Sequence, residues 1–156
     1  MTMLTRTTRP ISRLLLALAR LGLAGVLLWS GISKLRQPYD FLAAVYQYEL
    51  VGPKVGVFIA ATLPWLEIFA SIAMLTGIGM EGGFCLSALL GATFVIALAS
   101  AIHRGLDIDC GCFGRSIQAP VGTAALLRAI GVLVVSVLGF FLAVRCRAPA
   151  PVTAQK

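Results

Sequence analysis

Four long apolar runs constrain this chain more than any other feature of its sequence. They cover residues 14–32, 55–77, 83–102 and 120–144. A helix needs about 20 mostly apolar residues to cross the hydrocarbon core of a bilayer, so each run is long enough to span a membrane. The runs show no alternation of apolar and polar residues, which disfavours a β-barrel. We therefore predict an all-α integral membrane four-helix bundle.

The composition excludes the other common classes of protein. Apolar residues make up 59% of the 156 residues and charged residues only 12%, whereas a soluble domain has about 45–50% and about 25%. The net charge is +7, but the basic residues flank the apolar runs and do not form a patch with interleaved aromatic residues. We therefore predict the lipid bilayer as a partner and no nucleic acid.

The basic residues also predict the orientation. Most of them precede or begin the first run or follow the last one: Arg6, Arg9, Arg13, Arg20, Arg145, Arg147 and Lys156. Because basic residues favour the cytoplasmic side, both termini are predicted to be cytoplasmic in a bacterial inner membrane. The first run is then an uncleaved anchor, and the loops at 34–54 and 104–119 lie outside.

These boundaries give three segments. Residues 1–13 form a cytoplasmic N-terminal segment, residues 14–145 the membrane domain, and residues 146–156 a cytoplasmic tail. In the first outer loop, apolar residues recur near helical spacing, and the loop holds all three tyrosines of the chain. Tyrosine favours the membrane–water interface, so we predict a short amphipathic outer helix between the first and second spanning helices.

A Cys-Gly-Cys sequence in the second outer loop is the strongest chemical signal. Cys110 and Cys112 flank a glycine, which permits the unusual backbone angles that so small a disulfide ring needs. Such a ring adds little stability by closing a loop, and strained, exposed disulfides are the reactive ones. We predict a catalytic thiol–disulfide pair and no metal. The alternatives are a structural disulfide, or a metal site that would add His103 and neighbouring aspartates.

Charged residues inside the runs are the second signal. Glu67 lies in the middle of the second run, Arg128 in the outer half of the fourth and Arg20 in the inner half of the first. A charge at this depth costs about 2.5–3.5 kcal/mol or more unless it is paired or hydrated. We predict that Glu67 faces the bundle interior, either paired with an arginine or protonated. Glu67 would then be either one partner of a structural ion pair or a group that takes up and releases protons.

Two sets of residues are predicted to serve packing. Cys85 and Cys146 are interpreted as reduced thiols within the bundle. Small residues at four-residue spacing in the third run, such as Ser87 and Gly91, are typical of helices that approach closely in a membrane.

Three motifs together carry a resemblance that covers residues 14–144. They are Ser30-Gly31-x-x-Lys34-Leu35, Pro64-Trp65-Leu66-Glu67 and Cys110-Gly111-Cys112-Phe113-Gly114. With them, the chain resembles the methylamine-utilisation MauE family, a branch of the DoxX-like four-helix membrane proteins. The Cys-Gly-Cys-Phe-Gly string is the most specific of the three motifs.

The resemblance implies maturation, processing or disulfide formation of an extracytoplasmic client, the small disulfide-rich subunit of a methylamine dehydrogenase. It also implies a thioredoxin-like extracytoplasmic partner. Cys110 and Cys112 would be the redox pair, and Lys34, Glu67, Arg128 and His103 are candidate supporting residues. A quinone is a candidate cofactor, because four-helix membrane bundles elsewhere couple a cysteine pair to one. The alternative functions are a non-catalytic scaffold or chaperone for a secreted client, and a quinone-linked oxidoreductase subunit.

Overall fold

The computed structural model describes residues 10–106 and 123–147, which form an all-α bundle. The helices are α1 (Pro10–Arg36), α2 (Pro38–Gln47), α3 (Pro53–Thr76), α4 (Met80–His103) and α5 (Thr123–Arg147). Helices α1, α3, α4 and α5 are long and apolar enough to cross a membrane, and the described residues include no strand. The prediction of an all-α four-helix membrane bundle is confirmed.

The ends of the helices follow from local sequence. Prolines begin α2 and α3, where a missing backbone N–H disrupts no helical hydrogen bond. Gly77 ends α3 in the left-handed conformation with φ 78°, and its N–H donates to the carbonyl of Ala73. Helix α1 continues four residues beyond the predicted limit at Ile32 and ends at Arg36. Lys34, which we assigned to the first outer loop, is therefore part of a spanning helix.

The long helices form a closed ring. Helix α1 packs against α3, α3 against α4, α4 against α5, and α5 returns to α1. The predicted amphipathic helix is present as α2, and it packs mainly against α3. We call this end of the bundle the α2 end; here α1 and α4 finish, and α3 and α5 begin.

Helix α2 and the residues after it are fixed by two tyrosines. The Tyr46 hydroxyl donates to the carbonyl of Pro53 at 3.1 Å, and its ring lies where a Cβ on Gly56 would come within 2.6 Å. Tyr48 instead turns inward and packs with Leu98, Ala101 and Ala125. This burial raises the pKa of Tyr48 to about 12.

The small residues of α4 that were predicted to allow close helix packing face α5. Ser87 of α4 and Ser136 of α5 are buried and share a hydrogen bond of 2.7 Å. Gly91 faces the backbone of Leu133, and a Cβ there would lie 3.3 Å from the Leu133 Cα. In a membrane, helices gain no hydrophobic free energy by packing together. Small residues instead let the two backbones approach closely enough for van der Waals contact and a hydrogen bond.

Cys85 has the free thiol that was predicted but not the predicted packing role. It lies on α4 and is exposed on the surface of the bundle as a free thiol, so it is not a packing residue. It shares the outside of the bundle with large side chains such as Leu89 and Ile96, which are 62% and 68% exposed. An apolar surface of this kind suits contact with lipid chains. The side chain of Cys146 lies outside the described residues.

The closest helix contact predicts a stability difference between two glycines of α5. A Cβ at Gly139 would lie 2.3 Å from the ring of Phe84, which is fully buried, whereas a Cβ at Gly131 meets nothing within 4 Å. We expect Gly139→Ala to lower the free energy of unfolding by about 1–3 kcal/mol and Gly131→Ala to leave it unchanged or raise it slightly. Unfolding in mixed detergent micelles, followed by circular dichroism, measures both; equal effects would contradict this packing.

Candidate functional site

A buried ion pair joins α1 and α3. The Lys34 Nζ lies 2.7 Å from Oε1 and 2.8 Å from Oε2 of Glu67. It also donates to the Ser30 hydroxyl at 2.6 Å. Lys34 and Glu67 are each only 1% exposed. All three ammonium protons therefore have acceptors, as a charge in an apolar interior requires.

The sequence around Lys34 builds this site. Ser30 and Lys34 are four residues apart and share one face of α1. Gly31 lies between them in the sequence, and a Cβ on it would come within 2.9 Å of the Ile68 side chain and 3.0 Å of the Pro64 carbonyl. The absence of a side chain at Gly31 lets α1 approach α3 closely enough for Lys34 to reach Glu67.

Two aromatic rings complete the surroundings of the ammonium group. The centroids of Phe41 on α2 and Phe94 on α4 lie 5.3 and 5.2 Å from the Lys34 Nζ. Both distances are within the range of cation–π attraction. Lys34 therefore joins four helices: its own α1, α3 through Glu67, α2 through Phe41 and α4 through Phe94.

The interior position of Glu67 is as predicted, but its partner is a lysine and not an arginine. Arg20 lies at the other end of the bundle, where its Nη2 donates to the Leu75 carbonyl at 3.4 Å near the end of α3. A cation is favourable there because the last carbonyls of a helix carry partial negative charge. Arg128 is exposed on α5. Neither arginine is therefore part of the Glu67 site.

The partner was missed because of where Lys34 lies in the sequence. It comes near the end of an apolar run, where a lysine usually extends to the membrane surface. The signal that indicates an inward lysine is the Ser-Gly-x-x-Lys spacing, since it places a hydroxyl acceptor and a small residue on the same helix face.

The remaining predicted site residues are not brought to the ion pair. His103 is exposed at the last position of α4. Cys110 and Cys112 lie outside the described residues. Where α4 ends, the guanidinium of Arg104 donates to the Tyr48 carbonyl, and its Nη1 lies 3.9 Å from the Glu49 carboxylate. Arg104 thus ties the start of the cysteine-bearing connection to the residues that follow α2.

Among the residues described, no group of three histidine, cysteine or acidic side chains is placed to hold a metal ion. The Lys34–Glu67 pair has every ammonium proton engaged. It therefore suits a fixed structural charge more than a group that binds a ligand directly.

Comparison with known proteins assigns the family. A family model described as methylamine utilisation protein MauE matches residues 12–142, which is most of the chain. The chain belongs to the MauE family. The match extends from the first turn of α1 into the last turns of α5, so it includes the ion pair and the cysteine-bearing connection.

Individual relatives agree with this assignment. The methylamine utilization protein MauE of Methylophilus methylotrophus is 36% identical over 114 residues, which cover 72% of this chain and 60% of the relative. MauE of Paracoccus denitrificans is 30% identical over 111 residues, which cover 70% of this chain and 59% of the relative. The chain thus spans about three-fifths of the length of these curated relatives. No solved structure matches the chain.

The ion pair predicts strong coupling between Lys34 and Glu67. Lys34→Met leaves a buried carboxylate without its counter-ion, and Glu67→Gln leaves a buried ammonium, so we expect each to lose about 3–5 kcal/mol of unfolding free energy. The double variant Lys34→Met/Glu67→Gln should lose much less than the sum of the single losses, because it buries no charge. A double-mutant cycle from unfolding in detergent micelles measures the coupling.

Lys54→Met is the matched control for that cycle. Lys54 is exposed in the first turn of α3, so its replacement should leave the stability nearly unchanged. Strictly additive losses in the double variant would show that the two side chains do not interact.

Proposed function

We propose that this MauE family member uses Cys110 and Cys112 for thiol–disulfide exchange that supports maturation of an extracytoplasmic client in methylamine utilisation. The observation that carries the proposal is the Cys-Gly-Cys sequence in the connection between α4 and α5. Membership of a family named for methylamine utilisation supports the metabolic context. The client that fits best is the small, disulfide-rich subunit of a methylamine dehydrogenase.

The chemistry is a reversible exchange of two electrons. In the oxidising direction, a client thiolate attacks one sulfur of the Cys110–Cys112 disulfide, which breaks that bond and forms a mixed disulfide. A second client thiolate then attacks the mixed disulfide and releases the remaining cysteine thiolate. The client gains a disulfide, and the Cys110/Cys112 pair becomes a dithiol. The disulfide of a thioredoxin-like partner accepts the two electrons and restores the pair.

Contacts at the α2 end hold the end of α4 and the start of α5, the two helices that the connection with Cys110 and Cys112 joins. Helix α4, which leads into the connection, is linked through Arg104 to the residues after α2, and α5 begins against Tyr48 through Ala125. In the proposed orientation the α2 end faces the outside of the bacterial inner membrane, where disulfides persist. In that orientation Cys110 and Cys112 meet a secreted client as it leaves the membrane.

Single cysteine variants test the exchange. In a single variant the remaining thiolate can attack the disulfide of the thioredoxin-like partner, but no second cysteine is present to resolve the mixed disulfide. Either Cys110→Ser or Cys112→Ser should therefore trap that partner covalently. The adduct is detected on non-reducing gels and mapped by mass spectrometry. Cys85→Ser, which removes an exposed thiol on α4, is the control and should trap nothing beyond the wild-type level.

The double variant Cys110→Ser/Cys112→Ser separates exchange from a purely physical role. We expect it to remain in the membrane and to abolish maturation of the dehydrogenase subunit, followed by the disulfide content of that subunit. Normal maturation by the double variant would contradict the proposal and favour a scaffold or chaperone.

The orientation is tested with two exposed positions at opposite ends of the bundle. Tyr39 on α2 is 84% exposed and Ile78 between α3 and α4 is 80% exposed. In a chain without other cysteines, Tyr39→Cys should react with a membrane-impermeant maleimide in spheroplasts, and Ile78→Cys only after the membrane is permeabilised. The reverse result would place the cysteine-bearing connection in the cytoplasm and contradict the proposed site of action.

A further inference from the structure

An apolar cavity of about 250 Å³ lies between α2, α3 and α4 at the α2 end and is half-open to the outside of the bundle, where Ile96 forms part of its rim. Its lining includes Phe41 and Ala44 of α2, Ile59 and Leu63 of α3, and Phe94 and Ala97 of α4. A dry apolar cavity of about 150 Å³ is enough to hold a benzene molecule. This space can therefore hold a substantial apolar group.

The cavity offers almost no hydrogen bonds to an occupant. The Thr93 hydroxyl at its wall donates to the Leu89 carbonyl of its own helix at 2.9 Å. Phe41 and Phe94 stand between the cavity and Lys34, whose ammonium protons are all engaged by Ser30 and Glu67. A head group with carbonyl oxygens would find no donor here, whereas a hydrocarbon chain needs none.

The position of the cavity limits what can fill it. Ile59 and Leu63 belong to the second and third turns of α3, and Phe94 and Ala97 to the last turns of α4, so the cavity lies within the membrane-spanning segments. The molecules most abundant at this depth are lipid chains. Lys54 lies in the first turn of α3 and Arg104 follows α4, so two of the three helices of the wall have a cation at the α2 end. Cations at this level favour an anionic phosphate group.

We propose that the cavity binds one acyl chain of a membrane phospholipid, whose phosphate lies near Lys54 and Arg104. The bound chain packs against Phe41 and Phe94, the two rings that face Lys34. The lipid therefore becomes part of the support of the buried ion pair. This site is separate from the proposed thiol–disulfide exchange and does not depend on it.

A photoreactive phospholipid tests the site in the full-length protein. The probe is phosphatidylglycerol with a diazirine in the middle of one acyl chain, incorporated at low mole fraction in phosphatidylcholine nanodiscs. After irradiation, mass spectrometry should find several-fold more adducts on Leu63 and Phe94 than on Ile72 and Leu89, which are exposed on the outside of the same helices. Equal labelling of all four positions would mean ordinary lipid contact only and would overturn the proposal.

Two alanines of α4 provide the matched variants. Ala97 lines the cavity, so Ala97→Phe should fill it and reduce cavity adducts several-fold, whereas Ala99→Phe on the exposed surface should not. Equal loss in both variants would contradict the proposal. Because the comparison of positions within the wild-type protein needs no variant, a failure of Ala97→Phe to fold leaves the test intact.

Competition identifies the occupant. Unlabelled phosphatidylglycerol should displace the cavity adducts, and an equal amount of a polyprenyl quinone should not. Displacement by the quinone alone would overturn the acyl-chain assignment and identify a quinone tail as the occupant. Loss of the adducts only when an apolar client peptide is added would identify the cavity as a protein contact and would likewise overturn it.

Discussion

The bundle depends on one constraint: a lysine and a glutamate enclosed in a membrane-spanning core must neutralise each other. The Lys34 Nζ lies 2.7 and 2.8 Å from the two carboxylate oxygens of Glu67. Three other features of the bundle make this contact possible. Gly31 allows the close approach of α1 and α3, Ser30 accepts the third ammonium proton, and α2 covers the site with Phe41. Removal of one partner from such a pair is costly, because it leaves an uncompensated buried charge.

The two helix pairs of the bundle are held together by different interactions. Helices α1 and α3 meet through charge, whereas α4 and α5 meet through small residues and a buried hydrogen bond between Ser87 and Ser136. The cavity lies where α2, α3 and α4 come together, between these two kinds of contact. The proposed chemistry lies beyond them, on a connection whose near end is held by Arg104. The same end of the molecule therefore combines a buried ion pair, an apolar space and the start of the connection that carries Cys110 and Cys112 in the sequence.

Much of this fold could be predicted from the sequence, because bilayer thickness fixes helix length and the desolvation of charge fixes which way Glu67 points. The identity of the partner of Glu67 could not be predicted, because the side chain of a lysine near a helix end can extend either to the membrane surface or into the core. The exposed Cys85 shows that a small apolar residue satisfies a lipid-facing position as well as a core one. The cavity had no sequence signal, because a void depends on the spacing of three helices and not on any one of them.

The separation of the ion pair in the sequence has a consequence for synthesis. Lys34 and Glu67 are 33 residues apart, and a ribosome adds about 5–20 residues per second, so the lysine precedes its partner by roughly 2–7 s. During that interval α1 enters the membrane with an unneutralised ammonium group two residues from its end at Arg36. A flexible lysine at this depth can keep its charge in the head-group region until α3 arrives. The placement of the cation on the earlier helix, close to its end, thus makes the bundle compatible with insertion one helix at a time.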